Sequence, residues 1–326
     1  MEKQQTILVA PLDWGLGHAT RCVPLIHQFL NQGHRVVLAG QGVSLQFLQQ
    51  EFPKLPAVAL KGALIRYSGK QNLFLDLFLQ MPKFGFSMVA EHWRLRRLVK
   101  VWNITQVVSD NRYGLWNSKT RNIFITHQLF IRLPKSFKWM EFLLHGFTRM
   151  LISRFDECWV PDFENQEDSL SGELSHGKKR PKNLRYIGPL SRFQDFQPTE
   201  ASSSAVEIPD VLVLVSGPEP FRNRFQQQME LRFAQSTEKV LLICGKPGNE
   251  LRVTGCGLRV VSHLPTYELH PLLKHTPKII TLAGYSTLMD LHAMQRTAEL
   301  IATPGQTEQE YLVEWWKYRN RIESEK

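Results

Sequence analysis

Short apolar runs with the length of buried strands alternate with helix-spaced segments, and the alternation occurs twice in one chain. Residues 6–10, 35–39, 57–60, 106–109, 122–126 and 157–160 read as strands, with helical spacing over 19–31 and 43–50. A second series begins at 211–215. It continues with strands at 240–244, 258–261, 278–282 and 299–302 and helices over 221–235, 266–273, 286–294 and 307–322. A strand followed by a crossing helix returns parallel to its predecessor, so each series predicts a parallel sheet covered by helices. The expected fold class is α/β: two Rossmann-like domains, 1–190 and 211–306. The Ser- and Pro-containing stretch 191–210 is the linker between them. Ligands of such open sheets sit beyond the carboxyl ends of the strands, so two facing sheets enclose a cleft.

A length of 326 residues and a 43% apolar composition suit two buried cores. The net charge of +10 is unevenly placed: residues 1–190 hold 25 Lys and Arg against 14 Asp and Glu, which exceeds the whole surplus. A basic half can face nucleic acid, an anionic membrane or an acidic substrate. No RNA-recognition or zinc motif accompanies it, so nucleic acid is not an expected partner. Residues 1–5 lead straight into a strand without the apolar core of a signal peptide, and no apolar run reaches the ~18 residues of a membrane span. A cytoplasmic location is expected. Cys22, Cys158, Cys244 and Cys256 are scattered without a CxxC pair, which predicts core thiols in a reducing compartment. The histidines form no metal-ligand cluster, so no metal is expected.

Three motifs stand where strands give way to helices. Gly15-Leu16-Gly17-His18 follows the first strand. Its glycines permit close backbone approach, and the helix start attracts negative charge. It departs from a dinucleotide fingerprint, because Thr20 replaces the third glycine and the second strand ends in Ala39-Gly40 with no acid for a ribose. Ser216-Gly217-Pro218-Glu219 repeats the arrangement in the second series. Ala283-Gly284-Tyr285-Ser286-Thr287-Leu288-Met289-Asp290 opens a helix whose free amides suit a pyrophosphate, and Asp290 is placed to accept from ribose hydroxyls. A Pro304-Gly305 turn then delivers Gln306, Glu308 and Gln309, groups suited to reading sugar hydroxyls. His18 is the first choice for a base. Asp110 and His127, also at strand ends, could serve as base, orient a substrate or cap a helix.

This set resembles the GT-B glycosyltransferases of the family 28 type, which includes the peptidoglycan N-acetylglucosaminyltransferase. The matching positions are Gly15, Gly17 and His18; Ser216 and Gly217; Gly284, Ser286, Thr287 and Asp290; and Glu308 and Gln309. Two positions depart from the family pattern: Asp290 stands where Glu is usual, and Glu308 replaces the first of a paired Gln. The resemblance implies that the second domain holds a nucleotide-sugar donor, with UDP the expected nucleotide. The first domain then holds the acceptor, and helix 307–326 returns to pack on it. It also implies that no metal is needed. Asp290, Glu299, Glu308 and Glu310 lack the two-glutamate, eight-residue spacing of retaining enzymes, so inversion is expected.

Residues 73–100 and 130–154 mix large apolar side chains with cations. Phe74, Leu75, Phe78, Phe84, Phe86 and Trp93 precede Arg94, Arg96, Arg97 and Lys100 in the first; Trp139, Phe142 and Phe147 sit among Lys135, Lys138 and Arg149 in the second. Helices of this kind can lie at an anionic membrane surface, or can be core helices with solvated basic edges. The former suits a lipid-linked or cell-envelope glycan acceptor and a peripheral location at the inner face of the plasma membrane. Two other expectations compete with transfer: a sugar-nucleotide epimerase of the same architecture, and a catalytically silent protein binding a nucleotide sugar or an anionic polymer.

Overall fold

The computed structural model describes residues 4–63, 76, 78–194, 196, 207–246, 251–254 and 257–325. Phe74, Leu75, Cys256 and most of 195–206 lie outside the described residues.

Seven parallel strands form the first sheet: β1 (Thr6–Pro11), β2 (Arg35–Gly40), β3 (Ala57–Ala59), β4 (Gln106–Asp110), β5 (Arg121–Ile125), β6 (Glu157–Val160) and β7 (Leu184–Tyr186). Their order is β3-β2-β1-β4-β5-β6-β7. The second sheet contains β8 (Val211–Leu214), β9 (Val240–Ile243), β10 (Leu251–Thr254), β11 (Leu258–Val261), β12 (Lys278–Leu282) and β13 (Glu299–Ile301), in the order β10-β11-β9-β8-β12-β13. Five of these are parallel, and β10 runs antiparallel to β11. The helices are α1 (Gly17–Asn31), α2 (Gly42–Glu51), α3 (Met81–Trp102), α4 (Glu141–Ile152), α5 (Phe221–Phe233), α6 (Thr266–His275), α7 (Tyr285–Ala293) and α8 (Thr307–Glu325).

The strand sequences explain why the sheets are covered on both faces. Along β1, Ile7 and Val9 join the core under α1 and α2, while Leu8 and Ala10 pack on the opposite face with Leu95 and Val99 of α3. Alternate residues point to opposite faces, so a run that is apolar throughout must be buried on both. The core under α1 continues through Leu212, Ile243, Tyr285 and Leu288 of the second series into Leu312 of α8. Helices α1 and α7 touch.

Helix α8 is held against the loop after β6. Trp315 and Trp316 donate their indole N–H groups to the Ser169 and Leu170 carbonyls, each at 3.0 Å. The Tyr311 hydroxyl accepts from the Glu173 amide at 2.8 Å. That loop is folded around Asp162, a buried carboxylate that accepts from the Ser169 hydroxyl and from the Leu170 and Ser171 amides.

Two elements depart from the sequence expectation. The polar stretch 164–185 ends in the short strand β7, and the predicted strand at 258–261, β11, is preceded by an unexpected strand β10 that forms a hairpin with it. Both added strands are edge strands of three or four residues carrying Arg, where the apolar periodicity that marks central strands is absent. The segment 191–194 enters the core rather than running over the surface, with Ser191 and Phe193 buried.

Candidate active site

A cleft of about 760 Å³ opens where the strand order reverses in each sheet, between β1 and β4 on one side and β8 and β12 on the other. Every sequence-selected residue except Gly15 and Asp110 lines it: Gly17, His18, His127, Ser216, Gly217, Gly284, Ser286, Thr287, Asp290, Gln306, Glu308 and Gln309. Gly15 lies directly beside it. Its φ is +85°, and a Cβ there would meet the Gly217 backbone at 3.5 Å, so the two glycine loops touch across the cleft. The Ser286 hydroxyl donates to the Gly17 carbonyl at 2.7 Å. That hydroxyl proton therefore joins the two halves, and the backbone amides opening α7 are left for a ligand.

Behind His18 lies a buried chain of polar groups. The Nδ1 of His18 is 3.1 Å from Oδ1 of Asp110. Asp110 is fully buried at the end of β4, and Arg21 grips both of its oxygens, with Nε to Oδ2 at 2.6 Å. Nη1 of Arg21 lies 3.2 Å from Nδ1 of His127, whose Nε2 lies 2.7 Å from Oε1 of Glu308 at the start of α8. The His127 ring stacks on Tyr285 at 4.1 Å, and the Tyr285 hydroxyl is anchored to the Pro161 carbonyl. Burial pushes the Asp110 carboxyl up, but Arg21 and His18 outweigh it and hold it down at about 2. Burial lowers the pKa of His18 below 6.5; Asp110 opposes this, and Arg21 and His127 add to it. Burial also pushes Glu308 up, and its hydrogen bond to His127 reverses the sign. At neutral pH the chain thus contains ionised carboxylates and an uncharged His18.

At the other end, Asp290 is buried on α7. Ser191 donates to its Oδ1 at 2.6 Å, and the Arg192 Nε lies 3.8 Å from its Oδ2. Burial raises its pKa to about 6 against the pull of Arg192 and Ser191. Arg192 stacks over Phe47 and Phe193, its side chain is only 8% exposed, and its Nε and Nη1 find no hydrogen-bond acceptor among the described residues. Beside it, burial and then Arg192 hold His263 down at about 4. Gln309 is committed to the fold, because its Oε1 accepts from the Thr303 amide at 2.8 Å. Gln306 and Thr287 keep their side chains on the cleft wall.

Sequence reasoning missed Arg21, Tyr285, Arg192 and His263. Arg21 was legible in principle: it lies three residues beyond His18 on one helix, hence on the same face. Arg192 carried no such signal, since only the fold brings residue 192 beside residue 290. Among the described residues, no group of three His, Cys, Asp or Glu side chains converges as metal ligands. Cys22, Cys158 and Cys244 are buried, and burial pushes Cys158 up to about 12.

The chain matches no family model. It is 21% identical over 311 residues to an uncharacterized glycosyltransferase of Methanosarcina acetivorans, covering 91% of this chain and 79% of that one. It is 24% identical over 294 residues to another from Methanosarcina mazei, covering 85% and 74%. Among solved structures it is similar to a UDP-glucosyltransferase from Polygonum tinctorium capable of glucosylating indoxyl, with TM-score 0.60, 16% identity, and 96% and 83% coverage. It is also similar to an Arabidopsis thaliana protein complexed with UDP-L-rhamnose, with TM-score 0.56, 16% identity, and 96% and 82% coverage. The two facing α/β sheets with their switch-point cleft are the GT-B fold.

Proposed function

We propose that the protein is an inverting glycosyltransferase that moves a sugar from a nucleoside-diphosphate sugar to an acceptor hydroxyl. The carrying observation is His18 on the cleft wall with Nδ1 directed at the ionised Asp110, which leaves Nε2 on the cleft side. Nε2 takes the proton of the acceptor hydroxyl, and the oxygen bonds to the anomeric carbon. The bond from that carbon to the diphosphate breaks, its electron pair leaving on the phosphate oxygen. Asp110 stabilises the imidazolium that forms. The amides of Tyr285–Thr287 and the Ser216-Gly217 turn face the diphosphate and offset its growing charge without a metal ion. Asp290 accepts from the ribose, Arg192 donates to the nucleotide, and Glu308 with Gln306 reads the sugar.

The family 28 placement rests on the sequence motifs. The UDP descriptions of the structural neighbours support a UDP sugar; a hexose or N-acetylhexosamine as the transferred group rests on the motif resemblance. In this reading residues 1–190, with the 307–326 helix against them, form the acceptor domain, 191–210 the linker and 211–306 the donor domain. The acceptor end of the cleft is walled by Met81, Phe84 and Met88 of α3 and Leu143, Leu144 and Phe147 of α4. The outer faces of these helices expose Phe86, Trp93, Phe142 and Met150, and α3 buries only Glu91, Leu95 and Val99. No helix among the described residues is long and apolar enough to cross a membrane. An apolar wall rimmed by cations supports a lipid-linked glycan acceptor met at the cytoplasmic face of an anionic membrane.

Incubation with UDP-hexoses and UDP-N-acetylhexosamines, with and without polyprenyl-phosphate-linked sugars, tests this reading. UDP release and a larger glycolipid are expected, both lost in His18→Ala. An isomerised donor sugar formed without acceptor would replace transfer by epimerisation.

A further inference from the structure

Arg21 is 2% exposed and touches three side chains of the site. Its fork grips Asp110, its Nη2 lies 2.8 Å from Nδ1 of His18, and its Nη1 lies 3.2 Å from Nδ1 of His127. A guanidinium only donates. His127 must therefore present a bare Nδ1 to Arg21, which places its proton on Nε2, where it is donated to Glu308 at 2.7 Å. The situation at His18 is different. Its Nδ1 faces a donor in Arg21 and an acceptor in Asp110, and one nitrogen cannot serve both. Donation to Asp110 leaves Nε2 bare as a base, whereas acceptance from Arg21 puts the proton on Nε2 and silences it.

Resting on the transferase reading, we propose that Arg21 is a positioning residue that fixes the His127 proton on Nε2 and competes with Asp110 for Nδ1 of His18, and so couples the carboxylate Glu308 to the base His18. Loss of the fork frees His127 to ring-flip or change tautomer and leaves Asp110 as the sole partner of His18 Nδ1. The charged and titratable groups facing this cluster are Asp110 from β4, His127 after β5, Tyr285 from α7, Glu308 from α8, and Cys22 on α1 itself, whose sulfur is 3.8 Å from Asp110. With the guanidinium gone, Asp110 acts on His18 without that opposing charge, and the pH at which His18 loses its proton rises.

The test is nitrogen-15 NMR of the imidazoles in the unliganded protein, together with pH profiles of kcat/KM. Wild type should show His127 with its proton on Nε2, and Glu308→Gln should keep that signature because Arg21 imposes it. Arg21→Lys, which keeps a charge but loses the fork, should lose it. Arg21→Met should move the acidic limb of the profile to higher pH than wild type, and Arg21→Lys should move it less. A His127 tautomer unchanged in Arg21→Lys, or an acidic limb unmoved in Arg21→Met, overturns the proposal. Failure of the transferase reading is separately visible, since wild type would then transfer no sugar from any UDP donor while the NMR signatures stand. Should Arg21→Met not fold, the Lys variant carries both readouts.

Discussion

His18 and Asp290 are titratable groups that burial displaces in opposite directions, and each displacement has a consequence for catalysis. Burial lowers His18 below 6.5 while Asp110 stays ionised, so the proposed base is free of its proton throughout the neutral range. The acidic limb of kcat/KM against pH is expected below 6.5, and Asp110→Asn should cost about 10²–10⁴-fold in turnover. Asp290 behaves oppositely. Its folded pKa of about 6 lies above the model-peptide value of 3.8, so it is ionised, and an acceptor for ribose hydroxyls, only as pH rises past about 6. A nucleotide sugar has no phosphate group titrating in that range, so its binding isolates the carboxylate. Its affinity in a titration calorimeter is expected to weaken as pH falls from 7 to 5, with no such step in Asp290→Asn. The raised value also means that ionised Asp290 disfavours the fold. This contribution is absent below about 4 and complete above about 6, so Asp290→Asn should gain thermal stability at pH 7 while binding the donor less tightly.

At the scale of elements, the seating of α8 turns on a glycine. Gly172 has φ +54°, and a Cβ there would meet the Trp315 ring at 2.9 Å and crowd the Tyr311 hydroxyl. Gly172→Ala should cost about 2 kcal/mol or more in denaturant unfolding, from backbone strain and overpacking together. Tyr311→Phe, which removes only an acceptor for the Glu173 amide, should cost about 1 kcal/mol. The central strands and the helices between them were legible because burial on both faces leaves a continuous apolar run, and the helix starts after β1 and β12 were legible from their glycines. The edge strands β7 and β10 were not, since they are three or four residues long and carry Arg. The same division holds at the site. His18, Asp110 and His127 are each visible at a strand end, but their convergence on Arg21 follows from the order β1-β4-β5, which no local pattern encodes. Ser286 and Gln309 were visible as polar groups at helix starts. Their bonds to Gly17 and Thr303 depend on how the two halves and the final turn come together.

In the whole molecule, two sheets share one continuous core and meet at their switch points, so the amides opening α7 and the His18 chain line one cleft. Contacts between the halves, Ser286 to Gly17 and Gly15 against Gly217, lie at the cleft itself, so a ligand bound there touches both sheets. The most direct test is thermal unfolding against a panel of nucleoside diphosphates and their sugars without added metal. A ligand at a hundred times its dissociation constant should stabilise by about 2.7 kcal/mol. The account predicts a raised midpoint with one nucleoside diphosphate and its sugars, diminished in Asp290→Ala. No shift with any member of the panel would contradict it.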